Sequence, residues 1–78
     1  MFRKLVKTSK IEIDGQRYVL QFFEQDTMRG VRRFHCEVVL SPTDRIIIDG
    51  ESMSSLESRV ERLAPATVYS RLLAARAA

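Results

Sequence analysis

The sequence holds one cysteine, one histidine, no tryptophan and no asparagine in 78 residues, and each shortage closes a class of structure or chemistry. A lone Cys36 forms no internal disulfide, and with His35 it falls short of the four ligands that a structural zinc site takes. Without asparagine there is no N-glycosylation acceptor, and one unpaired thiol suits a reducing compartment, so a cytoplasmic location is expected. No apolar stretch approaches the roughly 20 residues of a membrane-spanning helix, so no membrane partner is expected. Arg3, Lys4, Lys7 and Lys10 are followed by neither an apolar run nor a small-residue cleavage site, which argues against a secretory signal. No cofactor-binding signature, internal repeat or low-complexity stretch occurs.

What is present describes a folded chain with little surplus stability. A hydrophobic content of 45% against 29% charged residues is ordinary for a globular protein and too apolar for a disordered one. The length allows one core, and residues 1–78 are expected to form a single α+β domain. Domains of this size usually lean on a disulfide, a metal or a partner subunit. With the first two removed by composition, self-association is the expected way to bury more surface. The net charge of +3 is unevenly spread: both ends are basic, and the stretch from Ile11 to Glu61 is mildly acidic.

Three glycines and two prolines punctuate the chain. Asp14-Gly15 lies between Lys10-Ile11-Glu12-Ile13 and the aromatic, β-branched run Gln16 to Phe23, the signature of a two-residue hairpin turn. Counting outward pairs Ile13 with Gln16, Glu12 with Arg17 and Ile11 with Tyr18. Residues 24–30 read as a polar connection ending at Gly30. Val31 to Leu40 reads as a third strand, with Phe34, Cys36, Val38 and Leu40 on one face and Arg33, His35, Glu37 and Val39 on the other. Ser41-Pro42-Thr43-Asp44 is a turn, and Arg45 to Asp49 a fourth strand whose three successive isoleucines suggest cover on both sides. Beyond Gly50, Ser52 or Ser54 can cap a helix, and Met53, Leu56, Val60 and Leu63 make one apolar stripe. The expected fold is therefore a four-stranded antiparallel β-meander followed by a C-terminal helical segment, broken or kinked at Pro65 because proline withholds the amide that Glu61 needs. Past Pro65, Val68, Tyr69, Leu72, Leu73 and Ala75 cover an arc wider than packing on one sheet requires.

Nothing in this pattern assembles a catalyst, and the chain is read as non-enzymatic. Gly50-Glu51-Ser52-Met53-Ser54 stands between strand and helix as a nucleophile elbow does, yet its last residue is not glycine and the only histidine lies upstream. His35 and Cys36 are strand neighbours and point to opposite faces. Two surfaces remain as candidates. Lys4, Lys7 and Lys10 with Arg29, Arg32 and Arg33 around Gly30 offer a patch for nucleic acid if the loop and the N-terminal arm share one end of the sheet. Val19, Phe23, Val39 and Ile47 on the second sheet face, with Val68, Tyr69, Leu72 and Leu73 on the last helix, offer a protein interface, apolar at its centre and charged at its rim. The expected function is a small interaction domain, homodimeric or bound to another protein, with nucleic-acid binding as the alternative. The order of three strands followed by a helix is similar in outline to that of the sheet-reading DNA-binding domains of phage integrases and plant ethylene-response regulators, a likeness of arrangement that no motif residues carry.

Overall fold

The computed structural model describes residues 2–77. Four strands, β1 (Phe2–Ile13), β2 (Gln16–Asp26), β3 (Arg32–Ser41) and β4 (Asp44–Gly50), precede one helix, α1 (Met53–Ala77). The strands pair antiparallel in the order β1-β2-β3-β4, an uninterrupted meander. Asp14 and Gly15 both take positive φ, 54° and 79°, as a hairpin turn matched to the right-handed twist of its strands requires. Ile13↔Gln16, Glu12↔Arg17 and Ile11↔Tyr18 are in the register counted from that turn.

Residues paired across neighbouring strands share a face, so the register sorts the whole sheet into rows. Lys7, Phe22, Cys36 and Ile48 form one row on the inner face, and Ser9, Leu20, Val38 and Ile46 another. Alternating with them on the outer face are Leu5, Phe23, His35 and Asp49, then Thr8, Gln21, Glu37 and Ile47, then Lys10, Val19, Val39 and Arg45. Helix α1 lies on the inner face alone. Its Leu56, Val60, Ala64 and Val68, at successive steps of four, meet Leu20, Phe22, Cys36, Val38 and Ile48 in a single core. Each large side chain buried there contributes about 1.5–3 kcal/mol over its exposed state.

The start of α1 is fixed by contact as well as by capping. The Ser52 hydroxyl accepts from the Ser55 amide at 3.1 Å and the Ser55 hydroxyl accepts from the Ser52 amide at 3.2 Å, a reciprocal cap that satisfies two otherwise orphaned donors. Gly50 is buried directly under Leu56: a Cβ there would lie 2.8 Å from Leu56 Cβ and 2.9 Å from its Cα. Charged side chains of the helix add further contacts. Arg59 Nη1 donates to the Asp49 carbonyl at 3.0 Å, Arg71 Nη1 to Asp44 Oδ1 at 2.6 Å, and Arg76 Nη2 to Asp14 Oδ2 at 3.5 Å.

Two expectations are corrected, the break at Pro65 and the two-sided cover of β4, and the extent of the first strand is settled. The basic N-terminal arm is strand: β1 pairs with β2 from Phe2 onward, with a register irregularity between Leu5 and Lys7, because β2 runs on to Asp26 and offers it a ladder. No break falls at Pro65, and α1 is one helix of 25 residues. Ala64 and Val68, both fully buried, anchor the helix on either side of the proline, and Thr67 Oγ1 donates to the carbonyls of Leu63 at 2.8 Å and Ala64 at 3.1 Å. Finally, β4 is covered on one side only: Ile48 is buried while Ile47 keeps 63% of its surface.

Two substitutions test this account at fixed protein concentration by thermal unfolding. Gly50→Ala forces Leu56 and the first turn of α1 off the sheet and lowers stability by about 1–3 kcal/mol, a drop of about 4–8 °C in Tm per kcal/mol. Pro65→Ala supplies the amide missing opposite the Glu61 carbonyl and raises stability by up to about 3 kcal/mol, the helix-interior penalty of proline. A lower Tm for Pro65→Ala would show that the proline ring packs better than this geometry implies.

Candidate interaction surface

Among the described residues nothing is layered over the outer face of the sheet, yet its centre is nearly dry. Phe23, His35 and Glu37 retain only 8%, 8% and 4% of their surfaces. Their neighbours on the same face provide the cover. Arg3 reaches inward from β1 so that its guanidinium carbon lies 4.2 Å over the Phe23 ring, and Phe23 in turn stacks on His35 with ring centroids 4.9 Å apart and planes 20° from parallel. Glu37 is the hub beneath them. Its Oε2 accepts from Arg3 Nη1 and lies 3.2 Å from His35 Nε2, while its Oε1 accepts from Arg45 Nη1 at 2.8 Å. Arg45 Nη1 also donates to Gln21 Oε1 at 3.1 Å.

Donors from three strands, β1, β3 and β4, thus converge on one carboxylate. Burial alone would push the Glu37 carboxyl up, but hydrogen bonds from Arg45, His35 and Arg3, with the charge of Arg3, outweigh it and hold the group below its usual range. A carboxylate so committed is a structural anion, poorly suited to take up a proton near neutral pH. On the opposite side of β3, Cys36 is fully buried; burial, reinforced by the negative charge of Glu37 and opposed by a backbone hydrogen bond from Gln21, raises its thiol to about 11. A thiol with that pKa is overwhelmingly protonated at neutral pH, and protonated thiols are weak nucleophiles. Ser52 and Ser55 are engaged in the helix cap. Among the described residues, no three His, Cys, Asp or Glu side chains come together as a metal site, and no helix is long and apolar enough to cross a membrane.

The residues singled out in the sequence are distributed as follows. Ile47 stands at the edge of the outer face and Phe23 beneath Arg3, with Val19 and Val39 half-buried in a neighbouring row. Leu5, also on this face, keeps 48% of its surface. On the helix, Tyr69 and Leu73 are about half exposed, Leu72 packs against the core, and Val68 is wholly inside it with no surface left to offer. The six basic residues divide between two faces. Lys4, opposite Glu24, and Arg32, opposite Asp26, lie on the inner side near the β2–β3 loop that carries Arg29, whereas Arg33 and Lys10 lie on the outer side. Lys7 is on the inner face, 3.2 Å from Glu57 and over the Phe22 ring. It spans the mouth of a groove of about 540 Å³ between β1 and α1, floored by Ile11, Leu20 and Phe22. Arg32 is paired with Glu24 at 2.6 Å.

The Glu37 hub was not visible in the sequence. Its only signal there is the spacing His35-x-Glu37, which puts both side chains on one strand face; the arginines that complete it come from β1 and β4.

Because its native pKa is depressed, Glu37 contributes its stabilisation in full above the ordinary carboxylate range of about 4.3 and loses it as pH falls through the lower native value. Glu37→Gln keeps the shape, removes the charge and costs about 1–2 kcal/mol at pH 7. The stability gap between wild type and variant holds from pH 7 down to about pH 5 and narrows towards pH 3 and below. A gap that stays constant across that range would mean the carboxylate is not held ionised by its three partners. Comparison of the chain with protein-family models, with curated proteins and with solved structures finds no match in any of the three.

Proposed function

We propose that the protein is a non-enzymatic interaction domain that acts by self-association. The observation that carries this reading is the apolar surface remaining on so small a chain. Leu5, Ile47, Tyr69 and Leu73 keep between 46% and 63% of their surfaces, and among the described residues one whole face of the sheet has no second layer. Antiparallel sheets often leave one face to water, but that face is then usually polar. Here its centre is Phe23 beside a carboxylate already paired from within by two arginines, so a partner can cover it without stripping water from an unpaired carboxylate. An apolar and aromatic middle with a charged rim is the ordinary composition of a protein interface.

Nucleic-acid binding has weaker support. It would draw on Lys4, Lys7, Lys10, Arg29, Arg32 and Arg33, but Lys7 and Arg32 are matched by Glu57 and Glu24, and Lys10 and Arg33 face away from Lys4. A surface that tracks phosphates needs its cations on one side.

Sedimentation velocity over increasing concentration tests the proposal. The expected result is a shift from the 9.0 kDa chain to a species of twice that mass. A single monomeric species up to about 200 µM, well beyond the Kd of stable complexes, would overturn it.

A further inference from the structure

We infer that two copies of the chain join edge to edge through β4, pairing antiparallel about a two-fold axis at Ile47 and making one eight-stranded sheet. This rests on the self-association proposed above and assigns it to the β4 edge, which carries Ile47, the most exposed of the four apolar side chains named there.

The sheet has two edges, β1 and β4, and they differ in how well they are guarded. β1 carries Lys4, Lys7 and Lys10 and a register irregularity between Leu5 and Lys7, the devices that discourage a strand from adding to an edge. β4 carries no lysine and no proline, and it is in unbroken register with β3 from Arg45 to Gly50. Its residues are Asp44-Arg45-Ile46-Ile47-Ile48-Asp49-Gly50, with three consecutive β-branched side chains of high strand propensity at the centre.

The second observation is that this edge is complementary to itself. With Ile47 placed opposite Ile47 of a second copy, Ile46 falls opposite Ile48 and Arg45 opposite Asp49, twice over by symmetry. An isologous contact needs such a self-matching patch. Arg45, Ile47 and Asp49 all lie on the outer face, so the two cross-copy ion pairs would flank the paired Ile47 side chains there. Ile46 and Ile48 would extend the inner core across the junction. A shift of the pairing by two residues would lose both ion pairs, and parallel pairing in register would set Arg45 against Arg45 and Asp49 against Asp49, which like-charge repulsion disfavours. The two helix arginines that reach β4 bind at its ends, Arg71 at Asp44 and Arg59 at the Asp49 carbonyl, and the middle of the edge lies between them. Ile47, the residue on the axis, is also the most exposed side chain of β4 among the large hydrophobics, at 63%.

The experiment uses the axis itself. A residue opposite its own copy across an antiparallel pair has Cα atoms about 4.5–5.5 Å apart, within disulfide reach, and the native Cys36 is fully buried. Ile47→Cys treated with diamide is expected to become a covalent dimer at concentrations where Val31→Cys, at a comparably exposed site, stays monomeric on non-reducing gels. Ile47→Lys sets two ammonium groups against each other on the axis and is expected to sediment as a folded monomer where the wild type is dimeric. If the wild type dimerises but Ile47→Lys still does so, and Ile47→Cys cross-links no faster than Val31→Cys, the β4 pairing is overturned while self-association stands. If the wild type is monomeric throughout, both fall. Should Ile47→Lys fail to fold, the relative cross-linking of the two cysteine variants decides.

Discussion

One helix can cover only one side of a four-stranded sheet, and this shapes the rest of the molecule. At about 1.5 Å per residue, the 25 residues of α1 reach along most of the 43 Å long axis of the protein. They pack on the inner face alone, and among the described residues nothing lies over the other face. The body is accordingly thin, 16 Å across its shortest axis between Cα positions, with a radius of gyration of 13.4 Å against roughly 11.5 Å for a compact chain of this length. The inner face solves its packing with Leu56, Val60, Ala64 and Val68. The outer face must be stable without a cover.

The outer face manages this by internal neutralisation. Glu37 would be costly to hold out of water alone, and three donors converge on it from β1, β3 and β4. The arginines keep part of their surface in solvent, with side-chain exposures of 53% and 40%, so their own desolvation is limited and the attraction is partly screened. The cluster's value therefore lies less in strength than in joining strands that are not neighbours: Arg3 of edge strand β1 and Arg45 of edge strand β4 grip one carboxylate from opposite directions. The Phe23–His35 stack below Arg3 locks the same arrangement sideways.

How much of this could be read from the sequence depended on how local each cause was. The Asp14-Gly15 turn fixes its own register, and the alternation around Phe34, Cys36 and Val38 separates the two faces of β3, so both were legible. The strand character of residues 3–8 was not, because Arg3-Lys4-Leu5-Val6-Lys7 has no clean alternation and is held extended by the length of β2. The continuity of α1 across Pro65 was hidden for a related reason: local chemistry argues for a break, and burial of Ala64 and Val68 overrides it. The candidate interface residues on the outer face could be grouped by periodicity. Their individual exposures could not, since Phe23 owes its burial to a guanidinium twenty residues away.

The fully enclosed thiol gives the molecule a built-in reporter. Cys36 sits on the middle of β3, beneath the helix on one side and one residue from the Glu37 hub on the other, so no reagent reaches it unless α1 lifts from the sheet or the sheet itself comes apart. Its rate of alkylation in native buffer is therefore a clock for those openings, and association that steadies β3 and β4 would slow it.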